Sequence, residues 1–237
     1  MALFITFEGG DGSGKSTQAN ELIERLRRQK KWRLISIEEP GGTLLGKMLR
    51  EWLRGREHSL TLIPEEGTQF ALLETINNHS LPDILLHESA PRAELLAFTI
   101  ARSQLVEDVI FPNLVNKNIV ICTRYADSTT AYQGYGRGLD INLVKIANEI
   151  ATKGLKPNLT ILLDLAPEKA LARRWGSNKI KDDHFEQQQL IFHRRVREGY
   201  LELAAEEPER WLVINAEKDK EEIANEIWQR VSKLLPR

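Results

Sequence analysis

Gly9-Gly10-Asp11-Gly12-Ser13-Gly14-Lys15-Ser16 is the stretch on which the fold turns. It matches the pattern G-x-x-x-x-G-K-[ST]. Closely spaced glycines let a backbone curl until its N–H groups point at one anion. A helix that starts at such a turn adds the positive end of its dipole. Lys15 is then placed to reach the β- and γ-phosphates of a nucleotide, and the Ser16 hydroxyl to ligate Mg²⁺. Gly10, Asp11, Gly12, Ser13, Gly14, Lys15, Ser16 and Thr17 together form the expected phosphate cradle.

The flanks suit that reading. Leu3–Phe7 is a short apolar run of buried-strand type, and Ser16–Gln29 carries Leu22, Ile23 and Leu26 at helical spacing. Outward from there, apolar and amphipathic runs alternate. Strands are expected at Arg33–Ile37, Ile119–Cys122, Leu159–Leu165 and Trp211–Ile214. Helices are expected at Leu44–Leu53, from Ala93 to Val115 with Pro112 interrupting its end, at Asn142–Lys153 with Gly154 as C-cap, at His184–Ala205 and at Glu221–Leu235. Pro167 is placed to open a helix after the fourth strand. Strand and helix alternating in this way predict one α/β domain over residues 1–237, a P-loop three-layer fold with a five-stranded parallel sheet flanked by helices. Ligands in such folds sit at the carboxyl ends of the strands. Gly55 to Ala90 breaks the rhythm and reads as an insertion with a short helix near Gln69–Asn77. Its histidines, His79 and His87, lack metal-ligand spacing and read as solvated.

Composition bounds the classes of function. The 237 residues are 41% hydrophobic and 28% charged, with a net charge of −1. No global field favours nucleic acid or an anionic membrane. No apolar run reaches the ~20 residues of a membrane span. The single cysteine, Cys122, excludes an internal disulfide, suits a cytoplasmic location and reads as strand packing. No guanine-reading N-K-x-D occurs, and the chain is short for the added modules of most motors.

Three further segments carry chemistry. Glu39-Pro40-Gly41-Gly42-Thr43 follows the second strand; its turn brings backbone close to a ligand, Thr43 can cap the next helix, and Arg50 can reach back to an anion. Phe98 and Arg102, four apart, share a helix face. A ring there can stack on a base and a guanidinium can bond its edge, although core Phe and surface Arg would show the same spacing. Thr123-Arg124-Tyr125 and Ser128–Gly134 follow another strand. Arg124 is placed to hold an acceptor phosphate, Tyr132 to close a sugar pocket, and Thr129 and Gln133 to meet a base edge.

Taken in order, F-E-G-G-D-G-S-G-K-S-T, E-P-G-G-T, the F-x-x-x-R helix and R-Y-x-D-S-x-x-A-Y-Q-G-x-G-R-G resemble the thymidylate kinase family over most of the chain outside 55–90. The resemblance implies transfer of a phosphoryl group from ATP, with Mg²⁺, to dTMP, usually by a homodimer. By position it implies that Asp11 contacts the acceptor's 3′-hydroxyl and that Phe98 stacks on thymine while Arg102 bonds its edge. Arg50 and Arg124 hold the acceptor phosphate beside Glu39 and Pro40. Tyr132 disfavours a 2′-hydroxyl, Thr129 and Gln133 lie near the base, and Glu8 lies near the metal's water shell.

Gly12 stands where some members keep an arginine, so the sequence is similar to the bacterial type, whose arginine comes from a lid. That lid is expected from about Arg173 to Glu186, with Arg173 and Arg174 as catalytic candidates beside Lys15 and Arg124, and Lys179 and Lys181 as weaker ones. The chain departs from the family at Thr123 (usually Asp), Glu38 (usually Arg), the lid end Asp183-His184-Phe185-Glu186, and in a lid poor in arginine. Another small-molecule P-loop kinase, or a nucleotide-binding relative without turnover, are the alternative readings.

Overall fold

The computed structural model describes residues 2–53, 90–175 and 184–235. The expected helix near 69–77, His79 and His87 lie outside them, as does most of the expected lid.

Five parallel strands form the sheet: β1 (Leu3–Glu8), β2 (Leu34–Glu38), β3 (Ile119–Thr123), β4 (Leu159–Asp164) and β5 (Trp211–Asn215), in the order β2-β3-β1-β4-β5. β1 is central, with Ile5 opposite Ile121 on one side and Leu159 on the other. All six of its residues are buried, so it shows no polar alternation. The chain runs from β1 to β2 and β3 on one side and then crosses past β1 to β4 and β5 on the other, and the Gly-rich turn emerges at this reversal.

Helices cover both faces. α1 (Lys15–Arg28) and α9 (Lys220–Ser232) pack Leu22, Leu26, Ile223 and Ile227 onto Leu3, Ile5 and Phe7. On the other face, α3 (Pro91–Leu105) sets Leu105 against Phe4, Val120 and Cys122, and α8 (His184–Glu206) sets Val196, Tyr200 and Leu203 against Leu162 and Trp211. α2 (Leu44–Leu53) and α6 (Ile141–Thr152) pack on either side of α3. α7 (Pro167–Trp175) begins at the proline that the sequence marks as its opener.

Thr43 caps α2, its hydroxyl accepting from the Gly46 N–H at 3.0 Å. α6 starts under an Asp140 cap and ends at left-handed Lys153 and Gly154. Cys122 is fully buried, as expected of a packing residue, and burial holds its thiol well above the usual range.

Two stretches depart from the expected elements. The helix expected from Ala93 to Val115 starts at Pro91 and widens into a π-helical turn, Val106–Ile110, before a last turn, α4 (Phe111–Val115). The wider turn lies just ahead of Pro112, whose ring crowds a regular i−4 carbonyl. The polar run after β3, for which the sequence marks no element, is helical: α5 (Ala126–Thr129) continues as a π-helical segment, Thr130–Gly136. No described helix is long and apolar enough to cross a membrane.

The outer faces of α2, α3 and α6 expose Leu44, Met48, Trp52, Leu96, Ile100, Leu143, Ile146 and Ile150; Leu44 is 77% and Ile150 74% exposed. These helices are neighbours, so the exposed apolar side chains lie on adjoining elements.

Candidate active site

The Gly-rich turn closes as its sequence requires. Gly9 (φ 133°) and Gly12 (φ 80°) adopt conformations that L side chains rarely take. A Cβ at Gly9 would lie 2.6 Å from the Leu163 carbonyl oxygen, and one at Gly12 2.7 Å from that of Ala170. The cradle is therefore wedged against β4 and α7, with no room for a side chain. Lys15 Nζ donates to the carbonyls of Gly9 at 3.0 Å and Gly10 at 2.7 Å. Burial, aided by the nearby Arg124 charge, pulls its pKa down to about 7, while Asp11 and Glu8 oppose the shift. The Ser13 hydroxyl is buried with no hydrogen-bond partner. A Gly-rich turn at the start of α1 with the Lys15 ammonium beside it suits an anion.

Two cavities meet beside it. A donor-side cavity of about 460 Å³ is lined by Gly12, Gly14, Lys15, Ser16, Thr17, Glu38 and Thr123. An acceptor-side cavity of about 340 Å³ is lined by Pro40, Phe98, Arg102, Thr129, Tyr132 and Gln133. Asp11, Glu39, Arg50 and Arg124 line both. All ten residues assigned to the acceptor from sequence thus surround one space.

Arg124 stands at the junction. Its backbone is left-handed, φ 70°, and its N–H donates to the Phe7 carbonyl of β1 at 3.0 Å. A non-glycine residue held there costs about 1–3 kcal/mol, which the surrounding packing must offset. The turn aims the guanidinium across the crevice: Nη2 donates to Asp11 at 2.5 Å and to the Tyr132 hydroxyl at 3.1 Å. Nη1 donates to Ser128 and Tyr200, and the group lies over the Tyr132 ring at 4.9 Å.

Glu8, expected near a metal's water shell, is fully buried. It accepts from the Tyr125 N–H at 2.8 Å, the Ser128 hydroxyl at 2.5 Å and the Tyr200 hydroxyl at 2.9 Å. Burial, with help from Asp127, pushes its pKa up to about 7. The strand end turns this side chain inward, so it organises the segment after β3. Ser128, quoted from sequence only as the start of a chemical segment, and Tyr200, which sequence reasoning missed, are members of this network. Tyr200 is 192 residues from Glu8, and nothing local in its helix signals the contact.

Arg102 is neither on the surface nor loosely placed. Arg102 and Glu39 side chains are 1% and 2% exposed and form a bidentate pair. Burial raises the Glu39 pKa and the Arg102 charge opposes it. The guanidinium also donates to Asn148 at 2.6 Å and to Thr129 at 2.7 Å. Asn148, on α6, is a further contributor with no sequence signal. Gln133 donates to Glu94, which also accepts from Arg137. Arg50 reaches back as expected, but it pairs with Glu38, the residue that stands in place of the family's usual arginine.

On the lid side, Arg173 donates to the Ala216 carbonyl at 3.0 Å, at the end of β5. The Arg174 side chain, Lys179 and Lys181 lie outside the described residues.

The site suits a hard cation held largely by phosphate oxygens and water. Ser16 and Thr123 hydroxyls and the Asp11 and Glu38 carboxylates line the donor-side cavity. Among the described residues, no cluster of three or more His, Cys, Asp or Glu could hold a metal unaided.

Comparison with known proteins shows the family and the fold. The sequence model of the family "Thymidylate kinase" matches residues 7–72 and 63–227. A thymidylate kinase of Synechococcus sp. (strain JA-2-3B'a(2-13)) is 42% identical over 236 residues, covering 99% of this chain and 96% of that protein. One from Dehalococcoides mccartyi is 41% identical over 235 residues, covering 99% and 98%. The crystal structure of thymidylate kinase from Ehrlichia chaffeensis superposes with a TM-score of 0.67 at 30% identity, over 97% of this chain and 98% of that one. The chain belongs to the thymidylate kinase family and is a nucleoside monophosphate kinase.

Proposed function

We propose that this kinase transfers the γ-phosphoryl group of ATP to dTMP, giving dTDP, with Mg²⁺ as cofactor. The carrying observation is the shared wall of two cavities, in which Arg124 touches Asp11 of the phosphate cradle and Tyr132 of the acceptor cavity.

Phosphoryl transfer asks a protein mainly for positioning and charge stabilisation. The acceptor oxygen belongs to a phosphate that is ionised at neutral pH, so no general base is needed. The backbone N–H groups of Gly10–Thr17 and the Lys15 ammonium would bind the donor phosphates. Arg124 and Arg50 would orient the acceptor phosphate toward them. Phe98 would stack on the base, Arg102 and Thr129 would meet its edge, and Tyr132 would fill the space of a 2′-hydroxyl. Mg²⁺, when bound through Ser16, would supply charge neutralisation on the donor phosphates. Arg173 and Arg174 would provide lid cations after a change of partner at Arg173.

The same reading includes a homodimer. The exposed apolar faces of α2, α3 and α6 form the surface it would bury. A cytoplasmic location fits the single buried thiol.

ADP release with a panel of nucleoside monophosphates tests the assignment. Turnover should be greatest with dTMP; turnover with another monophosphate alone would overturn the acceptor while leaving the kinase reading intact.

A further inference from the structure

We propose that Asn148 is a positioning residue that sets base selectivity, by fixing the Arg102 guanidinium so that one Nη1 hydrogen remains for the base. The inference rests on the reading of the acceptor cavity as a thymidylate site.

A guanidinium has five hydrogens. Nε donates to Glu39 Oε2 at 3.1 Å, and Nη2 to Glu39 Oε1 and to Thr129 Oγ1 at 2.7 Å, with the Tyr125 carbonyl at 3.2 Å sharing that edge. Nη1 donates to Asn148 Oδ1 at 2.6 Å. Among the described residues this leaves one Nη1 hydrogen unassigned, on a group that lines the acceptor cavity. Glu39 grips only the Nε–Nη2 edge, and a group held on one edge can pivot about it. Asn148 holds the opposite corner and removes that freedom.

Asn148 is itself fixed. Its Nδ2 donates to the Ala126 carbonyl and to Thr130 Oγ1, both at 3.0 Å, tying α6 to the segment after β3. Its side chain is buried. A fixed donor favours the C4 carbonyl of thymine, which accepts, over the C4 amino group of cytosine, which donates. A guanidinium free to pivot would discriminate less sharply.

The test compares kcat/KM for dTMP and dCMP in the wild type, Asn148→Leu and Asn148→Asp. Leucine keeps the bulk and removes the acceptor; aspartate keeps the acceptor. The Leu variant should lose roughly tenfold in the dTMP/dCMP ratio, mostly through a raised KM for dTMP, while the Asp variant, which keeps the acceptor but loses the Nδ2 donors to Ala126 and Thr130, should lose clearly less. If Asn148→Leu does not fold, Asn148→Ala makes the same comparison with the same expectation. A wild-type ratio in the folded Leu or Ala variant, or an equal loss in the Asp variant, would overturn the inference alone. Absence of dTMP turnover in the wild type would overturn the acceptor assignment and this inference with it.

Discussion

Arg124 Nη2 lies 2.5 Å from Asp11 Oδ1, tying the end of β3 to the phosphate cradle at the end of β1. The same guanidinium meets Tyr132, Ser128 and Tyr200, so one side chain orders both halves of the site. A lysine cannot reproduce that fork of donors. Arg124→Lys should lower kcat/KM by roughly 10³ or more, as steady-state kinetics would show.

Arg50 is paired with Glu38 at the rim, and that carboxylate competes with an incoming phosphate. The Glu38 side chain is half exposed, so the pair is weak. Glu38→Gln should lower KM for dTMP about two- to fivefold with kcat little changed. A raised KM would instead show that Glu38 aids binding.

Glu8 is pushed from 4.5 up to about 7, first by burial and then by Asp127, with Arg124, Ser128 and Tyr200 opposing. The unfolded chain releases this proton near the ordinary carboxylate value, so between those pH values the folded state binds more protons. The contribution to stability is complete below about pH 4.5 and is lost as pH rises through about 7. Glu8→Gln, which stays neutral, should therefore gain on the wild type between about pH 5 and pH 8, by on the order of 1–3 kcal/mol. Urea melts at the two pH values measure the difference.

Ile150, on α6, is among the most exposed of the apolar side chains on the outer faces of α2, α3 and α6. Ile150→Glu should convert a dimer into a monomer, read by light scattering on a sizing column, because a charge buried without a partner opposes association. A wild type that is monomeric at micromolar concentration would remove the dimer from the account.

The sheet was legible because a strand buried on both faces reads as an unbroken apolar run, and each such run ended at a polar cluster. Leu3–Phe7 leading into Gly9–Ser16 is the clearest case. The acceptor residues were legible as local spacings, Phe98 with Arg102 and Arg124 with Tyr132, which the fold then gathers round one cavity. Tyr200, Ser128 and Asn148 were not, because their roles arise from pairings between distant elements: Tyr200 with Glu8 and Asn148 with Arg102. The partners of Glu8 were hidden for a related reason, since Tyr125, Ser128 and Tyr200 all lie far from it in sequence. The helical winding of Ala126–Gly136 was hidden because a run of Ser, Thr and Gly favours turns locally, and packing against α8 overrides that preference.

The most direct test of the account is transfer of labelled γ-phosphoryl from ATP to dTMP by the wild type and by Lys15→Ala, with folding of the variant confirmed by circular dichroism. The Lys15 ammonium sits against the carbonyls of Gly9 and Gly10 in the centre of the cradle. The account predicts labelled dTDP from the wild type and essentially none from the folded variant. Near-normal labelling by Lys15→Ala would contradict it.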